Sequence, residues 1–189
     1  VDWYAGVRVI HVDAGPPTAL PKEALLPYMP QFTEGVLSFL REHMLGYALV
    51  HAHFFMSGMV AQRLKQTLGL PFVMTFHALG RVRRQYQGEA DGFPDARFAL
   101  EEALMREADC VIAECEQDKR DMLALYSARP ARLVVVPCGF DPDEFWPVRA
   151  TARASLDLPA REFIVLQLGR IVPRKGIDNV LHAVQSLRD

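Results

Sequence analysis

The chain has 189 residues, of which 50% are hydrophobic and 23% are charged, a composition typical of a soluble globular protein. Its 21 basic and 23 acidic residues leave a formal net charge of -2, which does not favour nucleic acid or an anionic membrane as a partner. Three scattered cysteines are typical of a reducing compartment rather than a disulfide framework. No apolar run approaches the roughly 20 residues that span a bilayer. We therefore expect a cytoplasmic protein that binds no nucleic acid, with oligomeric state and loose membrane association left open.

Short apolar runs alternate along the chain with longer segments of helical period, the pattern of β-α-β units in a parallel sheet. Because the runs are continuously apolar, we expect strands that helices cover on both faces. In chain order, the predicted strands are residues 7–12, 47–51, 72–76, 110–113, 133–136 and 163–168. The predicted helices are residues 32–43, 58–68, 96–107, 117–126 and 175–187. The expected fold class is α/β with a Rossmann-like parallel sheet.

A proline-containing stretch without apolar period, residues 138–159, predicts a linker. We assign residues 1–140 to a first domain, 141–160 to an interdomain linker and 161–189 to the start of a second domain. A single predicted strand and helix follow the linker, and one β-α unit cannot bury its own faces. The second domain is therefore expected to be incomplete within these residues.

The turn after the predicted strand 163–168 is the sharpest local feature, with the sequence Gly169-Arg170-Ile171-Val172-Pro173-Arg174-Lys175-Gly176. Ligands of open α/β sheets bind beyond the carboxyl ends of the strands, and a helix N-terminus favours anions. Arg170 can bind phosphate as a planar fork and Lys175 as a point charge, while Gly169 permits close approach. The alternative is a solvated basic turn, since Lys and Arg are ordinarily exposed.

Histidines mark the ends of two neighbouring predicted strands, His51 and His53 after one and His77 after the other. Two strands that deliver imidazoles to one edge of a sheet suggest a shared site. One alternative is that His51 and His53 are hydrogen-bonded core residues. Another is a metal-dependent hydrolase that uses His51 and His53. Later strand ends offer Glu114 but no further imidazole, which counts against the usual ligand sets of such sites, and we expect no metal.

Arginines follow His77 in residues 79–84, which we predict to form a loop. Their guanidinium groups, Arg81 among them, could bind a phosphate or carboxylate of a small substrate. Equally, Arg83 and Arg84 could be solvated, since charge in a loop by itself proves little.

Six stretches of the sequence, taken in order, resemble the retaining GT-B glycosyltransferases. That family includes sucrose-phosphate synthase, the mycothiol-pathway inositol-phosphate glycosyltransferase and the mannosyltransferases of phosphoinositide glycolipids. The matching residues are 51–58, 75–81, 97 with 101 and 102, 108–112, 136–141, and 169–170 with 175–176. The resemblance covers the chain from about residue 47 to its end. It implies a first Rossmann-like domain without its first strand and glycine-rich loop, followed by the first β-α unit of a second Rossmann-like domain.

The resemblance further implies transfer of a hexose, with retention, from a UDP-, GDP- or ADP-linked sugar to a small sugar or polyol acceptor, phosphorylated acceptors included. No cofactor besides this substrate is implied. The residues that match donor-binding positions are Gly139, Gly169, Arg170 and Lys175. The residues that match acceptor-binding positions are His53, Arg81 and Arg97. His77 matches the histidine that contacts the transferred sugar, so His77, Arg170 and Lys175 are the catalytic candidates.

The family's paired donor-binding glutamates would lie past residue 189, so we expect the 189 residues of this chain to be inactive by themselves. A non-catalytic GT-B-like scaffold or regulatory module is the alternative from another functional class.

Overall fold

The computed structural model describes residues 2–148, 151–172 and 175–187. The chain divides into two compact units, Val1–Gly139 and Phe140–Asp189. This division lies beside the boundary predicted after residue 140. The finer assignment, with a linker over residues 141–160 and a new domain from residue 161, stays a prediction.

Near its start the first unit has a small antiparallel hairpin of β1 (Asp2–Tyr4) and β2 (Val7–Arg8), which is separate from the larger sheet. The prediction of a sheet strand over residues 7–12 is therefore wrong. The side chains of Ile10 and Val12 instead help to line an apolar cavity of about 340 Å³, together with side chains such as Val36 and Leu49. Apolar character alone does not distinguish a paired strand from an extended segment whose side chains lie against other elements.

The larger sheet of the first unit has four parallel strands in chain order, which confirms the α/β class and the Rossmann-like sheet. The strands are β3 (Val50–His53), β4 (Phe72–Thr75), β5 (Cys110–Ala113) and β6 (Leu133–Val135). β3 begins three residues later than predicted, because pairing starts where Val50 lies beside Phe72. Pro71, which precedes Phe72 in the chain, has no N–H to donate to β3, although its carbonyl accepts from the amide of Val50. His51 and His53 consequently lie within the strand.

The helices of the first unit are α1 (Met29–Glu42), α2 (Phe55–Leu68), α3 (Gly80–Gln87), α4 (Ala96–Glu107) and α5 (Glu116–Leu125). The predicted positions of α1, α2, α4 and α5 agree with the structure to within three residues at either end. Short 3-10 turns lie at Lys22–Ala24, Leu26–Tyr28, Gly88–Ala90 and Pro130–Arg132. α3 was not predicted: residues 79–84 were expected to form a loop, because their polar sequence has no apolar stripe. Arg and Gln are nevertheless good helix formers.

The main core lies against the sheet and includes side chains from α2 and α4. Phe55, Phe72, Met74, Leu104 and Val111 are each at most 2% exposed. Full burial of one such side chain contributes about 1.5–3 kcal/mol. α1 packs on α2 through a second apolar cluster, formed by Leu37, Leu40, Val60 and Leu64.

Gly58 allows α2 to approach α4 closely. A Cβ at this position would lie 2.7 Å from Cδ1 of Leu104 and 2.9 Å from the sulfur of Met74. No ordinary side chain fits that space without displacement of the core.

In the second unit, the described helices are α6 (Ala152–Ser155), which lies inside the predicted linker, and α7 (Ile177–Ser186). α7 confirms the predicted helix at 175–187, shortened at both ends. The strand predicted over residues 163–168 does not form. Phe163 and Leu166 there are 93% and 79% exposed. A strand requires a hydrogen-bonded neighbour, and the described residues of this unit include no other strand.

Candidate functional site

Polar side chains converge at the carboxyl edge of the parallel sheet in the first unit. His53 ends β3, His77 lies two residues after β4, Glu114 directly follows β5, and Cys138 lies three residues after β6. Because the strands are parallel, these four positions belong to one edge, where open α/β sheets bind ligands. We call this set of four residues the histidine network.

A continuous series of hydrogen bonds joins the histidine network. Nδ1 of His53 and Nε2 of His77 are 2.8 Å apart, and Nδ1 of His77 and Oε1 of Glu114 are also 2.8 Å apart. The thiol of Cys138 donates to the same Glu114 oxygen over 3.2 Å. The rings of His53 and His77 stack with their centroids 5.0 Å apart. Since the side chain of His77 is 44% exposed, a substrate can reach the network from solvent.

His51 flanks the network without joining its series of hydrogen bonds. Its ring centroid lies 4.1 Å from that of His53, and its Nε2 lies 2.9 Å from the hydroxyl of Thr75. Partial burial of its ring, and secondly repulsion from His53 and His77, lowers the pKa of His51, although the residue as a whole is exposed. At the other end, the hydrogen bond to Glu114 raises the pKa of the Cys138 thiol. Both effects favour the neutral forms of these two side chains.

The backbone beside the histidine network is strained at two residues. Phe54 has φ 72° and His77 has φ 59°, both in the left-handed region. A non-glycine residue there costs on the order of 1–2 kcal/mol. The amide of Phe54 donates to the carbonyl of Thr75 over 2.9 Å, which fixes the end of β3 on β4. Strain of this kind clusters at functional sites, which supports a functional role for this edge.

A second charged network, which we call the arginine–glutamate network, is buried under the segment that follows His77. Arg97 and Glu101, one turn apart on α4, are both 0% exposed, and Nε of Arg97 lies 2.6 Å from Oε1 of Glu101. Glu101 accepts from the amide of Gly80 over 2.9 Å, and Arg97 donates to the carbonyl of Ala78 over 2.6 Å. The pair therefore holds the backbone between His77 and α3.

Aromatic rings enclose the guanidinium of Arg97. Its central carbon lies 4.6 Å from the ring centre of Phe93, 4.9 Å from that of Phe55 and 5.1 Å from that of Phe54. Nη1 has no hydrogen-bond partner among the described residues. The predicted role of Arg97 in acceptor binding stays a prediction, and direct contact would require the acceptor to reach Nη1 past these rings.

Tyr126 completes the arginine–glutamate network. Its hydroxyl donates to Oε2 of Glu101 and accepts from the amide of Arg81 over 2.9 Å. Burial, reinforced by the negative charge of Glu101, raises the pKa of Tyr126 above its ordinary range. The hydroxyl therefore remains a donor to the buried carboxylate.

The side chain of Arg81 contacts α5. Its Nη2 donates to Oε2 of Glu102 over 2.6 Å, its Nη1 donates to the carbonyl of Leu125, and its guanidinium lies over the ring of Tyr126. Leu125 is the last residue of α5, where carbonyls lack an intrahelical donor, so Arg81 caps that helix. Its predicted role in acceptor binding stays a prediction.

Arg83 and Arg84 form ion pairs on α3 and do not simply extend into solvent. Nε of Arg83 lies 2.8 Å from Oδ1 of Asp91, and Nη1 of Arg84 lies 2.6 Å from Oδ1 of Asp95. The side chain of Asp91 is fully buried. These pairs hold the segment between α3 and α4.

The concave space beside His77 in the first unit is small. A recess of about 20 Å³ is lined by residues that include His77, Glu114 and Asp118. Such a recess holds about one water molecule, whereas ligand pockets are usually an order of magnitude larger. A sugar bound by His77 would therefore rest on the surface of the network rather than inside this recess.

In the second unit, the predicted donor-binding residues lie together in an exposed turn before α7. Gly169, Arg170 and Lys175 are all exposed. A Cβ at Gly169 would lie 3.7 Å from Cδ of Lys175, which shows that the lysine stem passes close to this glycine. Pro173 and Arg174 of the same motif lie outside the described residues. Gly139, the remaining donor-binding candidate, is exposed at the end of the first unit.

Residues 2–139 match the family of glycosyl transferase 4-like domains. This chain belongs to that family. The resemblance to GT-B glycosyltransferases of group 1 is thereby confirmed.

Similarity to other proteins extends beyond residue 139. The structure of sucrose-phosphate synthase from Thermosynechococcus elongatus has a TM-score of 0.86 and 34% identity, covering 97% of this chain and 45% of that one. D-inositol 3-phosphate glycosyltransferase 2 of Catenulispora acidiphila is 37% identical in an alignment that covers 99% of this chain and 44% of the relative. D-inositol 3-phosphate glycosyltransferase of Streptomyces bingchenggensis is 38% identical in an alignment that covers 100% of this chain and 42% of the relative. The chain thus spans less than half the length of these curated relatives.

The geometry does not favour the metal-hydrolase alternative for this glycosyl transferase 4-like chain. Across residues 2–148, 151–172 and 175–187, no three or more His, Cys, Asp or Glu side chains are grouped to hold one metal ion. His51 is bonded to Thr75 and His53 to His77 through ring nitrogens. In the same ranges, none of the helices has the length and apolarity needed to cross a membrane.

Sequence reasoning located both histidines of the network but assigned no role to Glu114 or Cys138. Glu114 was noted as a residue at a strand end, and the available signal was its position directly after β5. Cys138 was only one of three scattered cysteines in the sequence, and it is exposed and hydrogen-bonded to Glu114. Neither pairing could be inferred without the spatial order of the strands.

Proposed function

We propose that this glycosyl transferase 4-like chain takes part in retaining transfer of a hexose from a nucleoside-diphosphate sugar to a small sugar or polyol acceptor. The observation that supports the proposal best is the position of His77, which is exposed at the carboxyl edge of the sheet and fixed by Glu114. The names of the relatives, a sucrose-phosphate synthase and D-inositol 3-phosphate glycosyltransferases, favour a small, phosphorylated acceptor.

The proposed reaction exchanges one bond at the anomeric carbon for another on the same face of the sugar. The bond from this carbon to the diphosphate breaks as the bond to the acceptor oxygen forms. The departing phosphate takes the acceptor's proton, so no added base is required. Negative charge grows on the phosphate and positive charge on the ring, and groups that match these charges lower the barrier.

Each candidate residue has a separate role in this proposal. Arg170 and Lys175 bind the diphosphate of a UDP-, GDP- or ADP-linked donor and stabilise it as it leaves. His77 contacts the transferred sugar and fixes its orientation. His53 binds the acceptor beside it.

The proposal is tested by transfer assays on a polypeptide extended to the length of the curated relatives. His77→Ala, Arg170→Ala and Lys175→Ala should each lower kcat by about a hundredfold or more, the scale of lost transition-state contacts. His182→Ala and Arg161→Ala, at exposed positions outside the proposed site, are the matched controls and should retain turnover. Near-normal kcat in Arg170→Ala and Lys175→Ala would reject the proposed chemistry.

A non-catalytic GT-B-like module is the competing function that a binding measurement can separate. Calorimetric titration of the same extended protein with UDP, GDP and ADP should show saturable binding of one of them. Arg170→Ala should weaken that binding. Absence of binding for all three nucleotides would favour the scaffold.

A further inference from the structure

The proposed reaction gives no role to Glu114, although its carboxylate joins two donors of the histidine network. We propose that Glu114 is a positioning residue that sets the tautomer of His77 and, through it, that of His53, so that Nε2 of His53 presents a lone pair to a substrate hydroxyl. The substrate part of this inference rests on the proposed function. The tautomers can be measured without any reaction.

The directions of the hydrogen bonds follow from the chemistry of the carboxylate. A carboxylate only accepts, so Nδ1 of His77, 2.8 Å from Oε1 of Glu114, must be protonated. A neutral imidazole has a single N–H, and Nε2 of His77 is therefore an acceptor. Nδ1 of His53 lies 2.8 Å from this nitrogen and must donate to it. Nε2 of His53 is then left with a lone pair.

The other polar groups around the two rings do not compete with Glu114 for this control. His51 is bonded to the hydroxyl of Thr75, and Asp118 on α5 acts on the thiol of Cys138 through its charge. Among the described residues, neither His51 nor Asp118 is hydrogen-bonded to a ring nitrogen of His53 or His77. Cys138 donates to the same Oε1 that His77 uses, and so helps to hold the carboxylate in place.

A lone pair on His53 selects substrates by hydrogen bonding. It accepts from a hydroxyl but gains nothing from a methoxy group or from hydrogen at the same position. His53 is exposed, as a residue that touches the acceptor must be. The substrate class that fits is therefore an acceptor that offers His53 a free hydroxyl in addition to the attacking one, as a sugar or polyol with several hydroxyls does.

Nitrogen-15 NMR of the histidine side chains in the 189-residue chain tests the tautomers directly. At a pH at which the imidazoles are neutral, we expect His77 and His53 both to be protonated at Nδ1 and unprotonated at Nε2. His53→Gln and His77→Gln assign the resonances. Protonation of His77 at Nε2 in the wild-type chain would overturn the proposal, and this result does not depend on any variant at Glu114.

Glu114→Ala and Cys138→Ala are a matched pair of variants for the same spectra. Loss of the carboxylate should move both rings away from the Nδ1–H form, whereas loss of the thiol should leave both tautomers unchanged. Unchanged tautomers in Glu114→Ala would contradict the assigned role.

Kinetics in the extended enzyme test the substrate half of the inference. Glu114→Ala should lower kcat/KM about tenfold, equivalent to about 1.4 kcal/mol, for an acceptor with this second hydroxyl. The same variant should lower kcat/KM by a smaller factor for the corresponding deoxy acceptor, which has no hydroxyl for His53 to bind, and Glu114→Asp should restore part of the loss. Equal losses for both acceptors would overturn the hydroxyl contact. Absence of transfer by the wild-type enzyme would instead reject the proposed function and leave the tautomers as measured.

Discussion

Two polar networks contact the backbone that follows β4, and they differ in burial and in composition. The arginine–glutamate network is buried, and both members of its ion pair lie on α4. The histidine network is exposed at the sheet edge, and each member comes from a different strand end. The arginine–glutamate network fixes the position of this backbone segment, and the histidine network exposes polar side chains to solvent. A charged residue in a family motif can therefore serve the fold rather than the substrate.

Removal of the buried cation should have the largest effect on stability. Arg97→Ala leaves the carboxylate of Glu101 buried without its charge partner, which should cost about 3–5 kcal/mol in the free energy of unfolding. Urea denaturation followed by circular dichroism measures this loss. Arg106→Ala, at an exposed position on the same helix, is the matched control and should stay within about 0.5 kcal/mol of wild type. A loss below about 1 kcal/mol for Arg97→Ala would mean that the pair is not structural.

A smaller loss of stability is expected from a change at Tyr126 in the same network. Tyr126→Phe removes the hydroxyl that donates to Glu101 and accepts from the amide of Arg81, and it should cost about 1.5–3 kcal/mol. Tyr86→Phe is the control, since Tyr86 is 86% exposed. Equal unfolding midpoints for the two variants would contradict the role given to Tyr126.

The smallest effect is expected at a partly exposed ion pair before β5. Asp109 lies 2.7 Å from Nζ of Lys65 and accepts a hydrogen bond from the amide of Phe72. The pKa of Asp109 is lowered, and the hydrogen bond from Lys65 is the main cause. A carboxyl with a lowered pKa in the folded state stabilises the fold above its unfolded pKa, and the contribution is lost as pH falls below about 4 and through the folded pKa. Asp109→Asn should therefore cost at most about 1 kcal/mol at pH 7 and less at pH 3.

Denaturation at both pH values measures the difference. Asp143→Asn, at an exposed carboxylate of the second unit, controls for the loss of a charge. A cost for Asp109→Asn that is as large at pH 3 as at pH 7 would show that the ion pair is not its source.

The sequence was sufficient for elements that local patterning determines. β5 and α4 agree with their predicted bounds, because each is a continuous run with a sharp end. α2 ends at its predicted last residue, Leu68, where Gly69 follows with φ 73°. The strands at residues 7–12 and 163–168 were wrong because strand formation depends on a partner, which no local pattern contains.

The candidate site was only partly predictable, because it also depends on which strands are neighbours in the sheet. His53 and His77 could be placed at one sheet edge from the parallel topology alone. Their link to Glu114 depends on β5 lying next to β4 in the sheet. The burial of Arg97 was not predictable, because an arginine on a helix is ordinarily exposed. The presence of Glu101 on the same helix does not indicate whether the pair is buried or exposed.

The alternation of side chains along β3 determines which changes in chain length this protein can tolerate during evolution. His51 and His53 are exposed, whereas Ala52 between them is buried against the core. Because side chains alternate with a period of two, insertion or deletion of one residue within β3 would exchange these environments, placing imidazole in the core and a methyl group at the sheet edge. Length variation in homologues should therefore accumulate in the connection between α1 and β3 and be absent from the strand itself.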